Sequence, residues 1–165
     1  MFWVASTTFV GLLLAFALGF VIWASIFDGE PVGPRVEAIV IALDKGCQTY
    51  RFEYGVYPPG RPDFDSRVLH RCLGSKRRVK KGDGSEVDAP PILQFPQNWL
   101  QLKKGQLPDA ASPVPIVDPW DHPIRYRNPG IYNKKGVDIW SAGKNGKDEP
   151  ENPDSDDINN WTREY

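Results

Sequence analysis

The feature that most constrains this chain is its opening run: residues 1–27 carry no charged side chain. Roughly 20 apolar residues suffice to cross a bilayer, so this run reads as a membrane helix and not as a buried helix of a soluble domain. Trp3 and Trp23 stand near its two ends, where amphipathic rings prefer the membrane interface. A cleaved secretory signal would call for a basic start and a shorter apolar core, and neither is present. Asp28, Glu30, Arg35 and Lys45 follow the run, which gives only a weak signal for orientation.

After a break over residues 28–34, a second helix is expected over 35–54, starting near Pro34, a good first-turn residue. Val36, Val40, Leu43, Cys47, Tyr50 and Tyr54 recur at steps of four and three, with Ile39 beside them. Those steps place the side chains on one helical face, which needs something to pack against. Gly46 is a weak spot within it, and Gly55 is the natural terminator. Tyr57-Pro58-Pro59-Gly60 then turns the chain away.

Beyond Tyr57 the proline and glycine content rises, which argues for turns and short strands. Residues 55–116 read as a loop region. Within it, a short helix is expected over 65–73, capped by Asp65 or Ser66. The basic run 76–81, followed by Gly82-Asp83-Gly84-Ser85, reads as a charged hairpin or solvated loop in preference to a nucleic-acid or anionic-lipid patch. A net charge of −1 gives no broad attraction to nucleic acid. Residues 90–102 are apolar and proline-broken and suit an irregular strand; 107–115 is linker-like. From Val117 a turn over 117–123, strands over 124–127 and 137–141 and further turns at 128–130 and 143–146 outline an antiparallel sheet.

Cys47 falls on the helical stripe and reads as a small buried hydrophobe. A Cys47–Cys72 disulfide is the alternative if the domain faces an oxidising compartment. No CxxC or Cys/His cluster suggests zinc. The two histidines, His70 and His122, sit in no nucleophile motif, and the spacing of Asp118 and Asp121 suits side chains that cap turn amides. The reading is therefore non-enzymatic.

Three blocks together resemble the type II secretion major pseudopilins, a type IV pilin-like family. The first is the helix end, Val36-Glu37-Ala38-Ile39 through Tyr54-Gly55-Val56-Tyr57-Pro58. The second runs from Asp118-Pro119-Trp120 to Asn128-Pro129-Gly130. The third is Val137-Asp138-Ile139-Trp140-Ser141-Ala142-Gly143-Lys144-Asn145-Gly146, closing with Asp157-Ile158-Asn159-Asn160-Trp161. The resemblance implies an α+β, type IV pilin-like fold, with one long N-terminal helix whose first half is transmembrane and whose second half lies on a small antiparallel sheet. The implied domains are a membrane helix over 1–27 and a periplasmic domain over 35–165, its sheet and C-terminal loop in 117–165. It also implies a single pass through a bacterial inner membrane, N-terminal methylation, and assembly with copies of itself or other pseudopilins on a secretion platform into a periplasmic fibre. The alternatives are a non-polymerising anchored binding module and a minor type IV pilin.

In that family the C-terminal loop binds Ca²⁺. The resemblance points to the carbonyl of Ala142, the side chain of Asn145, and Asp154, Asp156 and Asp157. Those side chains, with Asp148, are hard oxygen donors in a turn-rich segment, and Ca²⁺ takes six to eight such oxygens. Two departures stand out. Asn145 occupies a position where the family usually has aspartate, which removes one charge. No acidic residue precedes Asp28, so the family's intramembrane glutamate has no counterpart in residues 1–27.

Overall fold

The computed structural model describes residues 32–80, 82 and 84–162. The membrane segment expected over 1–27 lies outside them. Among the described residues no helix is long and apolar enough to cross a membrane. The chain divides into two units, and the account below concerns the second, Gly33–Tyr165.

Helix α1 spans Val32–Tyr54. Gly33 and Pro34, assigned to the break from sequence, lie in its first turn. Proline is tolerated there because the first amides of a helix have no intrahelical acceptor. Val36, Ile39, Val40, Leu43, Gly46 and Cys47 are buried. The stripe holds through Cys47; Tyr50 packs only partly against the core, and Tyr54 is 45% exposed. A 23-residue helix, about 35 Å long, outruns a sheet whose strands have two to four residues. Gly55, at φ +75°, ends α1 by donating its N–H to the carbonyl of Arg51 at 2.8 Å.

Helix α2 spans Arg67–Gly74. Of the two caps considered, Asp65 does the work: its Oδ1 accepts the Arg67 amide at 2.9 Å. Ser66 makes no cap bond. Its buried hydroxyl accepts the Ile116 amide at 3.0 Å and donates to the Ile116 carbonyl at 3.3 Å, pinning a distant strand-like segment to the helix start. A Cβ on Gly46 would lie 2.9 Å from Leu73 Cδ1, so the weak spot in α1 is where α2 makes its close approach.

Strands β1, Arg77–Lys80, and β2, Glu86–Ala89, form the antiparallel hairpin read from the basic run. Arg78 faces Asp88 in register, and their side chains pair at 3.6 Å across the ladder. Arg77 anchors the base through an ion pair with Glu53 and a 2.7 Å bond to the Pro90 carbonyl. Residues 90–102 hold a 3₁₀ turn, Gln97–Trp99, in place of the irregular strand, followed by an isolated Leu100–Ile116 bridge.

A second sheet has the order β3-β4-β5, built from Arg125–Arg127, Asp138–Ser141 and Ile158–Asn159, with both pairings antiparallel. Ile124, Tyr126, Val137 and Ile139 join the α1 stripe, Leu69, Leu73 and Ile116 in one core. Each fully buried aliphatic side chain contributes about 1.5–3 kcal/mol relative to exposure. Tyr126 is wholly buried and donates its hydroxyl to the Pro58 carbonyl at 2.6 Å, which Asn128 Nδ2 also reaches at 2.8 Å. The Tyr57-Pro58 step after α1 is thus tied to the Asn128-Pro129-Gly130 turn after β3. The thiols of Cys47 and Cys72 are free, not bridged. Cys47 is fully buried on the stripe, and burial pushes its thiol well above the usual range. The small-hydrophobe reading holds.

Candidate functional site

The C-terminal loop, residues 141–161, is held in place by three buried polar side chains. Asp118 is the first, at 1% exposure. Its Oδ1 accepts the amides of Trp120 and His122, each at 2.9 Å, and its Oδ2 accepts the Ser141 hydroxyl at 2.6 Å. Ser141 Oγ in turn accepts the Gly143 amide at 3.1 Å. The capping role expected for Asp118 is present, and it reaches further, to the end of β4. Asp121 instead occupies the left-handed region, at φ +65°.

Asp138 is the second. Its two oxygens collect the amides of Ile131, Tyr132 and Asn133 at 2.7–3.2 Å. Arg127 Nε donates to Oδ2 at 2.9 Å, and the Arg127 guanidinium lies 5.0–5.4 Å from the Phe64, Tyr132 and Trp140 ring centres. Asn160 is the third: Nδ2 donates to Asp44 of α1 at 2.8 Å and to the Val137 carbonyl at 2.9 Å, and Oδ1 accepts the Ile139 amide. The chain's last strand is thereby fastened to the long helix.

Ser141, His122 and Asp118 meet here although they lie far apart in sequence. Their geometry is that of a clasp. The serine hydroxyl donates to the carboxylate and is wholly buried, while His122 Nδ1 stands 2.9 Å from the Gly143 carbonyl, which assigns the ring hydrogen to Nδ1. The hydroxyl therefore faces the Asp118 carboxylate and not a histidine nitrogen, so the three do not form a serine–histidine nucleophile pair. The other histidine, His70, is buried, accepts the Val114 amide on Nδ1 at 3.1 Å, and is pushed below its usual range by burial.

The carboxylates expected to hold calcium are placed as follows. Asp156 Oδ2 accepts the Asn145 amide at 3.0 Å, and Asp157 Oδ2 accepts the Glu149 amide at 3.0 Å. Asn145 Oδ1 accepts the Lys147 amide, while Asp154 is exposed in a turn closed by Asn152. Ala142 is buried. Asp148 is drawn aside by Arg125, whose guanidinium it meets at 2.8–3.1 Å, and by Trp140 Nε1. Among the described residues no three His, Cys, Asp or Glu side chains stand together as a metal-ligand group. One atom does fit a cation: Asp157 Oδ1 is buried without a hydrogen-bond partner. Burial, with Asp148, Asp156 and Glu149 nearby, pushes that carboxyl up to about 6. Gly143 closes the loop at φ +62°, where a Cβ would meet the Asp156 carbonyl at 2.4 Å.

The fold is one long helix backing a small sheet, with a loop clasped by buried Asp and Asn. Residues 89–161, which include the whole loop, match the model of the family described as Type II secretion system (T2SS), protein G. Two of the three sequence blocks that carry the resemblance to the major pseudopilins lie inside that match. No curated protein matches the chain. Among solved structures, the major pseudopilin from the type 2 secretion system of enterohaemorrhagic Escherichia coli is 27% identical. The alignment covers 79% of this chain and 83% of that chain, with a TM-score of 0.42.

Proposed function

We propose that this chain is a pseudopilin-type structural subunit of type II secretion, anchored through residues 1–27 in the inner membrane with its domain in the periplasm. Through that helix it assembles with other copies or other pseudopilins into a fibre. The observation that carries the reading is the family match over 89–161, which includes the loop that Asp118, Asp138 and Asn160 clasp through buried hydrogen bonds. A loop-clasped head on a long helix suits a subunit that packs repeatedly in one geometry. Crosslinking between single cysteines placed along residues 1–27 tests this: the reading requires a ladder of multimers, and monomer alone would defeat it.

The same reading gives the loop a Ca²⁺ ion. Asp157, with Asp156, Asp154, the Asn145 side chain and the Ala142 carbonyl, would hold it, and the partnerless Asp157 oxygen supports this assignment. Bound there, the ion would offset repulsion among the carboxylates and tie the 142–145 turn to the 154–157 segment. Chelator should lower the melting temperature of the full chain, and added Ca²⁺ should restore it.

A further inference from the structure

Two adjoining surface hollows lie beside α2. One, of about 220 Å³, is lined by Arg61, Arg67 and Arg71 over an apolar floor that includes Val68 and Pro113. The other, of about 800 Å³, shares Arg67 and adds Lys103 and Lys104 beside Leu102 and Val114. Five cationic side chains line the pair, and no carboxylate lines either. All five are exposed. Arg61 and Arg67 meet only the short-range acids Asp63 and Asp65, and Arg71 makes no ion pair among the described residues. The Arg61–Asp63 pair is exposed on both sides and exchanges readily, whereas the Asp65 carboxylate beside Arg67 is only 10% exposed.

Elsewhere on the domain, residues 148–157 carry six carboxylates. Among the described residues only Asp148 has an ion pair, with Arg125. None of these acids meets a cation of the groove within the chain. From this opposition of charge we infer that the groove is a docking site for the acidic C-terminal loop of a second copy. Glu149 and Glu151 face the arginines, and the apolar floor takes the proline-containing backbone between them. The inference rests on the assembly proposed above and names its contact surface. Because donor and acceptor patches differ, the contact is head-to-tail, and head-to-tail contacts that do not close on themselves generate an open fibre. Complementary charge also fixes the register and makes the contact sensitive to salt.

The test uses the full chain in membranes, with Gln101→Cys at the groove and Asn152→Cys beside Glu151 introduced together, so that the charges of the contact are kept, and a short bis-maleimide added. The expected result is a set of multimers absent from chains carrying either cysteine alone, which also controls for Cys72. Adding Arg71→Glu should reduce the yield roughly tenfold, and Glu149→Arg in the same chain should restore it. Loss on Arg71→Glu without that restoration would mean the groove takes some other acidic partner, and would overturn the proposal. Monomer from the 101/152 pair while cysteines in residues 1–27 still give a ladder would overturn this contact and leave the assembly standing. Monomer in both experiments would overturn both.

Discussion

Replacing Asp118 by alanine is the most direct assault on the clasp. The carboxylate accepts three hydrogen bonds, from the amides of Trp120 and His122 and from the Ser141 hydroxyl. Ser141 is wholly buried, so its hydroxyl loses its only acceptor with no water to replace it, at a cost of about 1–3 kcal/mol. The two amides are only part-buried; water recovers some of their loss, leaving about 1 kcal/mol each. The sum is about 3–5 kcal/mol, a large share of the 5–15 kcal/mol that is typical for total stability. Asp118→Asn keeps an acceptor oxygen and loses the charge, so it should cost about half as much. Urea unfolding followed by tryptophan fluorescence reads both, since Trp120, Trp140 and Trp161 all lie in or beside the clasped region. The reasoning is refuted if Asp118→Ala stays within about 1 kcal/mol of the parent, or if Asn costs as much as Ala.

Gly143→Ala should destabilise by at least about 2 kcal/mol, because φ +62° is strained for alanine and the obstructing atom belongs to the Asp156 backbone; an unchanged melt would show that the loop relaxes freely. Asn160→Ala should cost about 2–4 kcal/mol and speed amide exchange in β4, since it strips partners from the Ile139 amide and the Val137 carbonyl. Asp157 sets a pH dependence of definite sign. Its folded pKa is raised from 3.8 to about 6, so its contribution is present below pH 4 and lost as pH rises through about 6. In chelator, Asp157→Asn should therefore be the more stable protein at pH 7 and lose that advantage near pH 4. In Ca²⁺ the parent should gain stability above pH 6, and the variant should show no metal response. Trypsin admitted to the periplasm should cut within the basic segment 76–81; cutting only from the cytoplasmic side would reverse the proposed orientation.

Sequence spacing located the elements because their causes are local. The α1 stripe, the Gly55 terminator and the charge-paired hairpin each follow from residues within a few positions of one another. Pro34 is legible as a first-turn residue, because a proline breaks a helix in its middle but is harmless where the amides have no intrahelical acceptor, and it stands in the first turn of α1. Gly46 read as a flaw until Leu73, 27 positions on, supplied the reason for it. The site shows the same division. Asp118 was legible as a turn cap, yet its bond to Ser141 joins residues 23 apart, and the Asn160–Asp44 bond joins residues 116 apart. Nothing in local spacing announces either. The acidic residues around 154–157 were visible as donors, whereas Asp148 was not visible as the partner of Arg125, because that pairing depends on how β3 and the loop come together.

The central claim is that this chain is an assembling, membrane-anchored structural subunit. The measurement that bears on it most directly is oxidative crosslinking of single cysteines scanned through residues 1–27 in native membranes. The account predicts a ladder of multimers whose yield varies with helical periodicity along the scan. Monomer at every position, with the domain folded and clasped, would contradict it.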